Sequence, residues 1–155
     1  MAQTIETTQG ASPELREDGS APAAAAGAPR LLDNRAWLLG RIDGRLAAAV
    51  GIGWYVLFGI GQALEPAPTN PNAVPAWIET AVSAVLLATF AAMIPGLITR
   101  RRWGVVAAVA AGLVYVAATI ACPTTGHHEF GLWWLGEMGC ASTLLAGSVY
   151  ALRRS

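Results

Sequence analysis

Residues 103–121 read WGVVAAVAAGLVYVAATIA, a run without a single charged side chain. An α-helix rises 1.5 Å per residue, so a run of this length reaches about 28 Å, close to the roughly 30 Å thickness of a bilayer core. Three further apolar runs of similar length occur at about 46–64, 76–98 and 132–152. The four runs predict an all-α, polytopic membrane protein whose transmembrane helices form a small bundle within 46–152.

The overall composition agrees with a membrane protein. Of 155 residues, 54% are hydrophobic, which is more than an ordinary soluble domain carries, and the length suffices for one compact unit. All ten basic residues are arginines in short groups beside apolar runs, so nucleic acid is not an expected partner. Arginine without lysine, together with abundant alanine and glycine, is typical of a bacterial protein from a GC-rich genome.

The segments before the first apolar run differ from the bundle. Residues 1–29 are rich in alanine, proline, glycine and polar residues, which predicts a disordered tail. Residues 30–45 form a juxtamembrane segment in which LLDNRAWLLGRI places its leucines and Ile42 in one helical stripe. This stripe predicts either an amphipathic helix on the membrane surface or the polar-flanked first turn of the following transmembrane helix.

The distribution of arginine predicts the topology. The loops EPAPTNPNAVPA and PTTGHHEFG contain no arginine, whereas the N-terminal flank, the middle loop and the C-terminal residues 153–155 do. Positive charge is retained on the cytoplasmic side, so we expect both termini in the cytoplasm of a multi-pass cell-membrane protein, and the CPTTGHHEF turn outside. The arginines that support this arrangement are Arg30, Arg35, Arg41, Arg45, Arg100, Arg101, Arg102, Arg153 and Arg154.

Two helices resemble each other at their outer ends. Aligning Glu79 with Glu137 places ETAVSAVLLA over EMGCASTLLA without a gap, and a tryptophan precedes each glutamate. A duplicated helical hairpin would produce this similarity, as would chance, because LLA matches are frequent in helices rich in alanine and leucine. Both explanations stay open.

The segment CPTTGHHEFGLWW and the helix after it carry a candidate metal site. Thiolates and imidazoles bind zinc, copper and iron, and a carboxylate can complete such a site. The candidate ligands, including both histidines of the chain, are Cys122, His127, His128, Glu137 and Cys140, with a transition metal or haem as the cofactor. The alternative is a solvated turn in which the cysteine packs as a small apolar residue.

Glutamates inside apolar runs form a second candidate site. A carboxylate in hydrocarbon is costly, so Glu79 and Glu137 would face the bundle interior or a water-filled cleft, where they could bind a proton or a cation. The alternative is a pair of solvated acids near helix N-termini, where a negative charge complements the helix dipole.

The sequence leaves three functions open. It contains no Walker loop, dinucleotide-binding fingerprint, nucleophile elbow or HExxH motif, which favours a non-enzymatic protein. The first prediction is an accessory or scaffold subunit whose helices pack against other membrane proteins or a second copy within the lipid bilayer. The alternatives are a protein that binds metal or haem through an extracytoplasmic Cys/His/Glu site, and a small dimeric transporter that uses membrane glutamates.

Overall fold

The computed structural model describes residues 31–155, and the predicted tail at 1–29 lies outside the described residues. This part of the chain contains only helices and one isolated β-bridge, which confirms the all-α prediction. The five helices are α1 (Leu31–Leu38), α2 (Gly44–Leu64), α3 (Ala76–Ile98), α4 (Arg102–Thr124) and α5 (Leu132–Arg154).

Three of the helices are long and apolar enough to cross a membrane, namely α2, α3 and α4. The fourth run predicted as a span lies within α5, which is also 23 residues long but less apolar. Two of its polar side chains point into the bundle, since Glu137 is 4% exposed and Ser148 is 2% exposed. The lower hydropathy of α5 therefore comes partly from residues that the other helices cover.

The four long helices pack side by side in the order α3, α4, α5, α2. Helix α4 contacts α3 on one side and α5 on the other, and α5 packs along α2. By contrast, α2 and α3 touch only lightly. The bundle is therefore open between α2 and α3, except where aromatic rings of the two helices meet.

Glycines allow α3 and α4 to approach each other closely. A Cβ atom at Gly104 of α4 would lie 2.5 Å from the carbonyl carbon of Gly96 and 2.6 Å from the backbone nitrogen of Leu97. Both glycines are buried. Without a hydrophobic driving force between helices in lipid, small residues permit the backbone contact on which van der Waals packing depends.

Helix α5 follows α4 along its whole length. At one end the indole Nε1 of Trp134 donates to the carbonyl of Thr119, at 2.9 Å. At the other end Arg102 donates to the carbonyl of Ser155. Between them, the space beside Gly112 is filled by Leu145. The two helices are thus antiparallel neighbours that reach the same two ends of the bundle.

The centre of the bundle is aromatic and includes one polar link. The indole of Trp54, which is 1% exposed, donates to Ser148 Oγ at 3.1 Å and so joins α2 to α5. Ser148 in turn donates to the carbonyl of Leu144. The ring of Phe90 from α3 meets Trp54 edge-on at a centroid distance of 5.3 Å. This contact bridges α2 and α3 at mid-height.

The arginine-rich end is joined by backbone hydrogen bonds. Ile42 donates its N–H to the carbonyl of Arg100, and Arg102 donates to the carbonyl of Gly40. Helix α1 therefore ends at Leu38, and the chain is extended at Arg41 rather than helical through Ile42 as the predicted stripe required. The backbone bonds available from the α3–α4 connection explain this difference.

Asp43 begins α2 beside that link. Its carboxylate accepts hydrogen bonds from the backbone N–H groups of Arg45 and Leu46, at 2.8 and 3.1 Å. These are donors that a helix start leaves without intrahelical partners, so the aspartate acts as an N-cap.

Candidate metal centre

Helix α4 ends in a turn that folds its histidines back over Cys122. Gly126 adopts φ +77°, the left-handed conformation that glycine enters without steric cost. Its N–H donates to the carbonyl of Pro123, and the N–H of His127 donates to the carbonyl of Cys122. This is the Schellman arrangement of a helix C-terminus. The N–H of His128 also reaches the carbonyl of Cys122, at 3.4 Å, so the local backbone positions His128 near the helix end.

The loop after α2 is bound to the same turn. Thr69 and Asn70 both donate their N–H groups to the carbonyl of His127, at 3.0 and 3.2 Å. That loop begins at Glu65, the C-cap of α2. Two connections that are distant in sequence are thereby joined at one end of the bundle, and the carboxylate of Glu65 is brought toward α4.

Three potential metal ligands meet where these connections join. One ligand atom from each of Glu65, Cys122 and His128 lies within 4.8 Å of the other two. His128 Nε2 lies 3.0 Å from Glu65 Oε1. The side chain of His128 is 2% exposed and that of Glu65 is 27% exposed. The cluster is therefore largely removed from solvent but open on the glutamate side.

The imidazole of His128 is held by neighbouring rings. It meets the ring of His127 edge-on at 4.6 Å and that of Trp133 at 5.3 Å. Trp133 is itself oriented by a hydrogen bond from its indole N–H to the carbonyl of Glu129, at 3.0 Å. Among the described residues, Nδ1 of His128 has no hydrogen-bond partner although it is buried. The ring orientation is thus set by packing rather than by a hydrogen bond to its second nitrogen.

His127 belongs to a different pair. Its Nδ1 lies 3.8 Å from Oε1 of Glu79, near the start of α3. The Glu79 side chain is 46% exposed, so this pair is more accessible to solvent than the cluster. A cavity of about 430 Å³ is lined both by the His127–Glu79 pair and by two members of the cluster, Glu65 and Cys122. The cluster can therefore be reached through this cavity.

Glu137 is buried within the bundle and is not one of the three clustered ligands. Thr119 of α4 donates its hydroxyl to Oε1 of Glu137 at 3.3 Å. Gly61 of α2 makes room for this group, since a Cβ atom there would lie 3.6 Å from Glu137 Cγ and would collide with the Tyr115 hydroxyl. The Tyr115 hydroxyl is buried without a hydrogen-bond partner among the described residues. A separate polar cluster thus occupies the interior between α2, α4 and α5.

Of the five ligands suggested by the sequence, the structure brings Cys122 and His128 together. His127 faces Glu79 instead, and Glu137 contacts Thr119. Cys140 is a free, half-buried thiol on α5, as Cys122 is on α4. The third member of the cluster, Glu65, was missed by sequence reasoning. Its position was the signal in the sequence, because Glu65 is the acidic residue at the C-terminal end of the first apolar run, and the predicted topology puts that end on the same side as CPTTGHHEF.

Comparisons with known proteins return no relative. No protein-family model matches the chain, and no curated protein and no solved structure matches it. A function for this chain is therefore inferred from the geometry and chemistry of its own residues.

Proposed function

We propose that this chain is a four-span integral membrane protein that binds Zn²⁺ or a similar transition-metal ion. The ligands are Glu65, Cys122 and His128, at the extracytoplasmic end of the helices. The observation that carries the proposal is the convergence of a carboxylate, a thiol and an imidazole within 4.8 Å. These three ligand types together suit Zn²⁺ and neighbouring transition metals rather than Mg²⁺ or Ca²⁺, which prefer oxygen alone.

The ligand distances are close to those of a metal complex. Ligands of a tetrahedral zinc ion lie roughly 3.5 Å from one another, because each bond is about 2.0–2.3 Å long. The three ligand atoms lie within 4.8 Å of one another, so they need to approach by no more than about 1 Å when an ion binds. Glu65 can supply that movement, since it begins a loop rather than lying inside a helix.

The charges of the cluster also favour a divalent cation. A Cys122 thiolate and a Glu65 carboxylate carry two negative charges, and a neutral His128 adds none. An ion of charge +2 balances them, which matters where the side chains are mostly shielded from water. Cys122 loses its proton when the metal binds, so binding releases acid.

A single ion suits this site better than haem. The imidazole of His128 packs edge-on against the rings of His127 and Trp133, and its Nε2 lies 3.0 Å from Glu65 Oε1, so a macrocycle would have to displace these contacts. Three protein ligands leave a fourth tetrahedral position for water or another small ligand, as in zinc sites that bind exchangeable molecules. The cavity lined by Glu65 and Cys122 would give that position access to the outside.

The four-span topology supports an extracytoplasmic position for the site. Helix α5 has partners in α4 at both ends, through Trp134 and Ser155, so it crosses the membrane if α4 does. Its 23 residues reach about 34 Å, which is sufficient for a bilayer core. Among the described residues, the arginines lie at the end of the bundle opposite the cluster, which favours cytoplasmic termini.

Fusion reporters test this topology. Green fluorescent protein fused after Ser155 is expected to fluoresce, because the C-terminus is cytoplasmic, whereas alkaline phosphatase fused at the same place is expected to be inactive. Phosphatase inserted in the 126–131 turn should be active. An active C-terminal phosphatase fusion would show that α5 does not return the chain to the cytoplasm.

Metal analysis of the purified chain tests the site. Protein in mild detergent is expected to bind about one Zn²⁺ per chain, with release of protons, and not to bind Mg²⁺. Elemental analysis after dialysis gives the stoichiometry, and Co²⁺ substitution should produce the near-ultraviolet absorption of a cobalt–thiolate bond. Failure to retain zinc, together with no cobalt–thiolate absorption, would reject the proposal.

A further inference from the structure

An apolar groove runs between α2 and α3 on the arginine-rich half of the bundle. Its volume is about 520 Å³, and apolar side chains and glycines make up most of its walls. The Trp54–Phe90 contact closes it at mid-height, while Gly44 and Arg100 stand at its other end. The flanking side chains are unusually exposed, as Ile98, at 74%, illustrates.

The length of the groove matches one leaflet of a bilayer. Its α2 wall extends from Gly44 to Tyr55, which is about 16 Å of helix. Half of a hydrocarbon core of roughly 30 Å is about 15 Å. The groove therefore begins at the level of the headgroups and ends near the bilayer centre, the depth that one acyl chain occupies.

The open end of the groove is positively charged. The guanidinium of Arg100 lies over the first turn of α2, since a Cβ atom at Gly44 would be 3.0 Å from its Cζ. Arg41 and Arg101 pair in the adjacent β-bridge, and Arg45 is in the first turn of α2. Among the side chains that the structure describes, no arginine forms an ion pair with a carboxylate, and Asp43 is engaged in capping α2.

We infer that this groove binds one anionic phospholipid, with an acyl chain between α2 and α3 and its phosphate against Arg100. The apolar walls suit the chain, and the guanidinium suits the phosphate, to which it donates paired hydrogen bonds. The position agrees with the bilayer, because arginine-rich ends face the cytoplasmic leaflet, where anionic lipids attract basic residues. A bound lipid also explains why α2 and α3 make few contacts with each other, because the lipid fills the space between them that side chains leave open.

Native mass spectrometry of the full chain in neutral detergent tests this inference. Phosphatidylglycerol and phosphatidylcholine with identical acyl chains are added at equal concentration. One phosphatidylglycerol is expected to bind in preference to phosphatidylcholine. Arg100→Gln should lower that preference about fivefold, the effect of one basic residue worth roughly 1 kcal/mol at an anionic surface. Arg154→Gln, which makes the same change beside Tyr150 and outside the groove, should leave the preference unaltered.

A second variant tests the acyl-chain part of the inference. Gly51 lies in the wall of the groove, and a Cβ atom there has ordinary contact with Leu97 at 3.7 Å. Gly51→Leu should therefore fold, fill the groove and lower the binding of both lipids. Equal binding of the two lipids by the wild-type chain would overturn the inference, as would equal losses in Arg100→Gln and Arg154→Gln. A lipid-free dimer that Gly51→Leu converts to monomer would assign the groove to a second copy instead.

Discussion

Zinc affinity is expected to fall roughly 100-fold when His128 is replaced with alanine or Cys122 with serine. The binding energy of a structural zinc ion, of order 10 kcal/mol, is shared among a few ligands, so the loss of one removes several kcal/mol. Serine keeps the size of Cys122 but supplies no thiolate. Competition with a zinc-binding dye measures the affinity, and the cobalt–thiolate absorption should vanish in Cys122→Ser.

The chain supplies matched controls for both substitutions. His127→Ala removes the neighbouring imidazole, which packs edge-on against His128 but is not a ligand of the cluster and has its Nδ1 3.8 Å from Glu79. Cys140→Ser removes the other free thiol. Each is expected to change zinc affinity by no more than a few-fold. His127→Ala is compared with His128→Ala, and Cys140→Ser with Cys122→Ser. An equal loss of zinc affinity within either pair would favour the wider ligand set suggested by the sequence over the three-residue cluster.

Glu65→Gln distinguishes the structural proposal from the sequence prediction, which did not include this residue. Glutamine keeps the shape of the side chain but removes its negative charge. The cluster then holds one negative charge instead of two, so zinc affinity should fall while the cobalt–thiolate absorption, which depends on Cys122, remains at saturating metal. Unchanged affinity in Glu65→Gln would remove Glu65 from the site.

The bundle is expected to lose about 3 kcal/mol or more of stability when Gly104 is replaced with leucine. A Cβ atom at this position would lie 2.5 Å from the carbonyl carbon of Gly96 and 2.6 Å from the backbone nitrogen of Leu97. Both are backbone atoms, so no side-chain rotation relieves the clash, and α3 must move away from α4. Thermal unfolding in detergent, followed by circular dichroism, measures the loss.

Gly53→Leu is the matched control for this substitution. It introduces the same side chain in a transmembrane-length helix, but nothing lies within 4 Å of a Cβ atom at Gly53. Its unfolding temperature is therefore expected to stay near that of the wild-type chain. Similar unfolding temperatures for Gly104→Leu and Gly53→Leu would show that the close approach of α3 and α4 contributes little to stability.

The ends of the four long helices could be predicted closely from the sequence. The apolar run at 76–98 coincides with α3, Ala76–Ile98. The arrangement of the helices was not predictable in the same way. Apolar residues cover α3 almost all round, so no stripe indicates which face meets α4; that face is known only from the meeting of Gly96 and Gly104.

The candidate site was only partly predictable. Cys122 and His128 are joined by the turn at Gly126, so their proximity depends on local backbone geometry that proline and glycine signal in the sequence. Glu137 was grouped with them because a carboxylate can complete a metal site and it lies in the helix after the turn, nine residues beyond His128. In the structure the rotation of α5 directs it toward Thr119, and helix rotation is set by packing against α2 and α4.

By itself, the sequence determined that the chain is helical and contains long apolar helices, because backbone polar groups in hydrocarbon require helices and apolar length must match the bilayer. It also determined the turn that carries the histidines. Only the tertiary structure decided that Glu65 joins Cys122 and His128. Fifty-seven positions separate Glu65 from Cys122 along the chain, and what brings them together is the packing of α2 against α5, of α5 against α4, and two hydrogen bonds to His127. Sequence periodicity reports which face of a helix is apolar, whereas the partner of each face depends on contacts between helices.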